Sequence, residues 1–118
     1  MEKQKLKWIK VAESLAELHL KENNLTTAEA AGKKITIAKY EDKLFACAYK
    51  CPHASGILSE GFIDGNGNIV CPLHRYKFSL QNGRNITGEG YFLKTYPVSI
   101  TEQGIFIGFE DENLFGWL

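Results

Sequence analysis

Apolar residues fall in short runs broken by glycine, asparagine, aspartate and proline along most of the chain. This is the punctuation of an all-β domain. Trp8 to Val11 reads as a strand. Val11, Leu15 and Leu18 have helical spacing and predict a turn or two of helix over Glu13 to Leu18. Thr26 to Ala30 and Ile35 to Tyr40 flank Ala31-Gly32, a hairpin signal. Leu44 to Tyr49, entered through Glu41-Asp42, is the next strand. Asp64-Gly65-Asn66-Gly67-Asn68 reads as a turn leading into Ile69-Val70. Asn82-Gly83 lies between Phe78–Leu80 and Asn85–Thr87 and suits the positive φ values of a type I′ hairpin turn. Thr95 to Ile100 and Ile105 to Phe109 flank Gln103-Gly104, which predicts a further hairpin. The apolar tail Leu114 to Leu118 is expected to pack back on the domain.

Composition narrows the class. With 118 residues there is room for one domain, not for separate nucleotide-binding and substrate domains. Hydrophobic residues make up 44% and charged residues 24%, which excludes wholesale disorder. Lys+Arg and Asp+Glu each total 14, so the broad basic footprint of a nucleic-acid binder is absent. No run of 18 apolar residues predicts a membrane span. The opening MEKQKLKWIKV leads into no apolar stretch, so no secretory signal is expected and the location reads as cytoplasmic. Three cysteines are an odd number and too few for a disulfide scaffold, which fits a reducing compartment where thiols stay free for metal.

Two segments carry the candidate chemistry, Cys51-Pro52-His53 and Cys71-Pro72-Leu73-His74, with seventeen residues between His53 and Cys71. Each offers one thiolate and one imidazole, and each places proline directly after the cysteine, which stiffens the loop at the ligand. Both follow an expected strand, so two loops could close on one metal centre. Thiolate plus imidazole suits zinc or an iron–sulfur cluster rather than magnesium or calcium. A zinc finger pairs cysteine with cysteine and histidine with histidine. Here each half is mixed, as a binuclear centre requires when one iron takes both thiolates and the other both imidazoles.

On these residues the chain resembles the Rieske family. Ser59-Glu60-Gly61, Gly88-Glu89, the opening Trp8-Ile9-Lys10-Val11 and the closing Thr95-Tyr96-Pro97-Val98 share in the likeness, which covers nearly the whole chain. The resemblance implies an all-β fold: an incomplete barrel or sandwich base with a small inserted cluster-binding subdomain at about residues 47–82, within a single Rieske domain over 1–118. It implies a 2Fe-2S cluster with Cys51 and Cys71 on one iron and His53 and His74 on the other, more exposed one. Respiratory and photosynthetic members carry a disulfide between the two loops. Gly56 and Leu73 stand at those places. They also carry a serine and a tyrosine that donate to sulfurs, where this chain has Tyr76 and Phe78. The pattern looks like the bacterial ferredoxin branch that serves oxygenases. The small subunit of assimilatory nitrite reductase shares the fold but typically lacks the ligands.

The reading that results is a soluble, monomeric one-electron carrier between a flavin-type reductase and a terminal oxygenase, performing no bond chemistry itself. Two other classes remain: a permanently bound small subunit of a nitrite-reductase-like complex, and a zinc-binding interaction module. With both strong donors missing, the potential is expected near the low end of the Rieske range, on the order of −150 mV. Cys47 alternates with Phe45 and Tyr49 and is expected in the core. His19 reads as a surface residue. Lys50, Arg75 and Lys77 flank the ligand loops, either as solvated charges or as a docking patch. Leu58 and Leu73 could belong to the core, but their loop positions suggest a lid that limits solvent access to the metal.

Overall fold

The computed structural model describes residues 6–53 and 56–110. The expectation for the tail 114–118 lies outside them. In chain order the elements are β1 (Leu6–Ala12), α1 (Leu15–Leu18), β2 (Leu25–Ala30), β3 (Lys33–Tyr40), β4 (Lys43–Ala48), a 3-10 turn (Leu58–Glu60), β5 (Phe62–Ile63), β6 (Asn68–Val70), β7 (Lys77–Ser79), β8 (Thr95–Tyr96), β9 (Val98–Thr101) and β10 (Gly104–Glu110). They form three antiparallel sheets, ordered β1-β10-β9, β2-β3-β4-β8 and β5-β6-β7. The all-β class read from the sequence is the class observed.

Side-chain alternation on the central sheet explains the layering. Ile35 and Ile37 of β3, with Leu44 and Ala46 of β4, enter one core together with Ile105, Ile107 and Phe109 of β10. Ala38 and Cys47 point the other way, into a second core with Leu25, Leu58, Ile69, Phe78, Leu80 and Leu93. The four-stranded sheet is therefore a middle layer, covered on one face by the first sheet and on the other by the small third sheet. That is why Ile35, Thr36, Ile37 and Ala38 are all buried in a row. Each fully buried isoleucine contributes roughly 1.5–3 kcal/mol. Thr36 is accommodated because its hydroxyl donates to the Ala48 carbonyl at 3.0 Å.

The two layers around the second core are also tied by polar contacts. Asn23 Nδ2 donates to the carbonyls of Ser59 (3.1 Å) and Gly61 (3.0 Å). Lys21 Nζ donates to the Ser59 carbonyl at 2.7 Å, and the Thr27 and Ser59 hydroxyls lie 2.8 Å apart. These contacts hold the segment between the ligand loops against the β2 end of the middle sheet.

Two local expectations need correction. The Asn82-Gly83 segment is not a type I′ hairpin. Of the two residues only Gly83 is left-handed (φ 79°), Asn82 Oδ1 accepts from the Arg84 amide at 2.9 Å, and the returning chain makes a single bridge, Phe78 with Asn85. A side chain that satisfies the turn's own backbone competes with the ladder. Both positive φ values occur instead at Ala31 (54°) and Gly32 (78°), joining β2 to β3. Second, Thr95 to Ile100 is not one strand: β8 pairs with β4 while β9 pairs with β10. Pro97, which has no N–H to donate, sits at the switch, and its carbonyl accepts from Gly108 at 2.9 Å. The helix is a single turn, the lower end of what is expected over Glu13 to Leu18. Leu18 is buried and Leu15 is exposed, and the helix closes at His19, whose backbone is left-handed (φ 57°).

Candidate metal centre

Each ligand loop opens with its cysteine and is closed by that residue's own amide. The Cys51 N–H donates to the Gly56 carbonyl at 2.7 Å, and the Cys71 N–H to the Tyr76 carbonyl at 2.9 Å. Outside these bonds, the Leu58 amide donates to the Tyr49 carbonyl at 3.0 Å, and Val70 pairs with Lys77. The loops are thus tips of two short antiparallel ladders. In the second, the Arg75 amide returns to the Cys71 carbonyl at 3.1 Å, with Arg75 left-handed at φ 61°.

The four predicted residues converge. The donor atoms of Cys51, His53 and Cys71 all lie within 4.8 Å of one another. Cys51 Sγ is 3.1 Å from His53 Nδ1, and His53 Nε2 is 2.7 Å from His74 Nδ1, so His74 joins the set through His53. Cys51 and Cys71 are buried in the second core, His53 is half-buried and His74 is exposed. Among the described residues no other group of three such donors forms.

Two features fit a bound metal group. The donor set is two thiols on the protein side and two imidazoles on the solvent side, with no carboxylate, which selects soft and borderline ions. Gly56 also leaves space that any side chain would fill: a Cβ there would come within 2.9 Å of Cys71 Sγ. The same Cβ would lie 3.1 Å from Leu73 Cγ, so Gly56 and Leu73 do face each other across the loops. All three cysteines are free thiols.

The surroundings revise several expectations. Leu58 is not a lid. It is fully buried in the second core, because the 3-10 turn carrying it packs inward under the loops. Leu73, 53% exposed, remains at the loop surface opposite Gly56. Lys77 is no free cation: its ammonium lies 3.4 Å from the Asp64 carboxylate. Lys50 and Arg75 stay exposed beside the loops. Cys47 is in the core as expected, and burial pushes its thiol up to about 12 against the opposing hydrogen bond from Thr36, so it stays protonated at neutral pH. His19 is exposed, as expected. Phe78 is fully buried among the cysteines and supplies no hydroxyl.

Two residues at the site carried no sequence signal of their own. Tyr91 places its ring 5.7 Å from that of His53, although it follows a long irregular segment. Glu89 is close enough to His53 for that residue to enter its electrostatics. Desolvation raises its pKa, but hydrogen bonds from Thr87, Asn85 and its own amide outweigh that and hold it below the ordinary value. Gly88-Glu89 stood out in the sequence only as part of a wider likeness.

Comparison with known proteins gives the family and the fold. The family model of the Rieske 2Fe-2S domain matches residues 7–97. The ferredoxin component of the naphthalene 1,2-dioxygenase system of Pseudomonas aeruginosa is 30% identical over 102 residues, 86% of this chain and 94% of that protein. Among solved structures, a complex of reduced oxygenase and oxidised ferredoxin in carbazole 1,9a-dioxygenase contains a chain similar to this one. It superposes with a TM-score of 0.73 at 23% identity, covering 87% of this chain and 94% of that one. A putative NADH-dependent nitrite reductase small subunit from Mycobacterium tuberculosis gives 0.73 at 18% identity, over 89% of this chain and 96% of that one. At these identities the structures share the fold, and the fold is common to both kinds of protein.

Proposed function

Since the chain belongs to the Rieske 2Fe-2S domain family, we propose that it is the ferredoxin component of an oxygenase system, with Cys51, His53, Cys71 and His74 as its cluster ligands. The bound 2Fe-2S cluster supplies a one-electron couple. The protein's own residues hold, shield and present that group. Cys51 and Cys71 anchor it from the second core, where Phe78 and Leu58 keep water away. His53 and His74 turn toward solvent and form the short path out. The observation that carries the reading is this mixed quartet, two buried thiols and two solvent-facing imidazoles from loops closed in the same way.

The named relative is the ferredoxin component of a dioxygenase system, and the carbazole 1,9a-dioxygenase complex pairs a ferredoxin with its oxygenase. By that analogy this chain takes an electron from a flavin-type reductase and gives it to a terminal oxygenase, as a cytoplasmic monomer and without bond chemistry of its own. The cluster-binding unit is taken as about residues 47–82, within one domain spanning the chain. Among the described residues no helix is long and apolar enough to cross a membrane.

Anaerobically purified protein is expected to be brown, to contain iron and acid-labile sulfide in equal amounts, and to bleach on reduction. His53→Ala and Cys71→Ala are each expected to abolish the colour. A colourless, zinc-containing wild-type protein would overturn the reading. Stable co-purification with a large reductase subunit would replace the free carrier by the bound small subunit.

A further inference from the structure

Two tyrosines stand against the histidines of the site. The Tyr76 ring lies 3.9 Å from the His53 ring, centroid to centroid, at a tilt of 35°, and 6.0 Å from that of His74. Tyr91 stacks on Tyr76 at 6.2 Å with the planes 26° apart. Tyr76 is held by backbone, and the segment before Tyr91 by a side chain. The Tyr76 carbonyl accepts from the Cys71 amide, so this ring is tied to one cysteine through the main chain while it packs on the histidine of the other loop. Tyr91 is delivered by a knotted segment. Asn85 Oδ1 accepts from the amides of Glu89 (2.6 Å) and Gly90 (2.9 Å), and Asn85 Nδ2 donates to the Lys77 carbonyl at 3.1 Å. The knot is thereby moored to β7, which begins at the residue after Tyr76.

The cysteines need no such support, because the core surrounds them. His53 is different. It sits in a solvent-facing loop, and because the torsion about the bond from Cβ to a histidine ring is broad, the ring plane is set by what the ring touches. Among the described residues the only hydrogen-bonding partners of the His53 ring are Cys51 and His74, both proposed ligands. The ring face is covered by Tyr76. The Tyr76 hydroxyl makes no hydrogen bond among the described residues, so the contact is made by the ring.

We propose that Tyr76, braced by Tyr91, is a positioning residue that sets the plane of the His53 imidazole, the side chain that would hold the metal. This rests on His53 being a cluster ligand. A ligand plane held in one orientation gives a narrow electron paramagnetic resonance signal in the reduced protein, and a plane free to vary gives a broad one.

The test compares wild type with Tyr76→Phe, Tyr76→Leu and Tyr91→Leu, all after iron and sulfide analysis. Tyr76→Leu is expected to load iron at wild-type stoichiometry but to show a broadened signal. It should lose its colour to a chelator about fivefold faster, the factor that a tilted aromatic pair is worth. Tyr76→Phe should restore both properties, since it keeps the ring. Tyr91→Leu should broaden the signal less. An unchanged linewidth in Tyr76→Leu overturns the proposal, as does a Tyr76→Phe variant as broad as Tyr76→Leu. If Tyr76→Leu does not fold, Tyr91→Leu decides: it removes only the brace behind the Tyr76 ring, and an unchanged linewidth there overturns the proposal. Wild-type protein without iron removes the ligand reading itself, whereas iron-loaded wild type with insensitive variants removes only the role of Tyr76.

Discussion

The contact between Gly56 and Cys71 shows how little room the ligand loops leave. Gly56 does not have a left-handed backbone, so its requirement is steric: a methyl group would meet Cys71 Sγ at 2.9 Å and Leu73 Cγ at 3.1 Å. Leu73 is at the surface and can yield, but the buried sulfur cannot. Gly56→Ala is expected to cost about 1–3 kcal/mol by overpacking and to lower the iron content, read by thermal melting and iron analysis. Unchanged values for both would contradict the close approach. Phe78 is the second informative position, fully buried in the core that holds both cysteines. A hydroxyl added there costs about 1–3 kcal/mol if it stays unpaired. Phe78→Tyr is expected to avoid that cost by donating to a sulfur, which lifts the potential from the low end of the range, on the order of −150 mV. Film voltammetry showing no rise, together with a lower melting temperature, would mean that the hydroxyl reaches no acceptor.

The turn that feeds the second loop depends on one carboxylate. Asp64 accepts from the amides of Asn66 (2.8 Å) and Asn68 (3.1 Å) and from Asn68 Nδ2 (3.1 Å), and it faces Lys77. Desolvation pushes its pKa up, but these donors outweigh it and hold Asp64 below its ordinary value of 3.8. A depressed folded pKa means stabilisation that is present above the unfolded value and lost as pH falls through the folded one. Acidification below about pH 4 is therefore expected to loosen the entry to β6, seen as faster amide exchange at Asn66 and Asn68. Asp64→Asn should remove that pH dependence. If wild type and variant lose stability in parallel below pH 4, Asp64 is not the group responsible. This turn was legible in the sequence because Asp and Asn side chains satisfy local backbone. The same chemistry misled at Asn82-Gly83, where the asparagine side chain closes a different turn, while the plainer Ala31-Gly32 formed the tight hairpin. Pro97 was visible but its consequence was not, since a missing N–H marks a break without saying which sheet receives the next strand.

Charge belongs to the molecule as a whole. The chain is neutral overall, and at the ligand loops Lys50 and Arg75 are exposed, the Glu89 carboxylate lies near His53, and Lys77 is engaged by Asp64. Exposed charge at the rim of a contact governs the association rate more than the affinity, and salt screens it within about 8 Å at physiological strength. Arg75→Glu is expected to slow electron delivery several-fold at low salt, and Lys7→Glu, on the outer sheet, is expected to leave it unchanged. Stopped-flow traces with a cognate oxygenase would show this, with the cluster spectrum as control. The substitution adds no backbone strain, because Arg75 is already a non-glycine residue at φ 61°. Equal rates for the two variants would move the docking site elsewhere.

The all-β class, most strand positions and the four candidate ligands could all be read from the amino-acid order. Alternation, turn residues and donor spacing are local properties that neighbours along the chain already express. Three features could not be read this way: that the middle sheet is covered on both faces, that Leu58 goes inward while Leu73 stays out, and that Lys77 is neutralised by Asp64. Nor could the sequence show that Tyr76 and Tyr91 meet over His53. Each depends on residues far apart in the chain arriving at the same place. Burial and pairing are set by what lies across the contact, which depends on how the three sheets stack rather than on any segment's own preference.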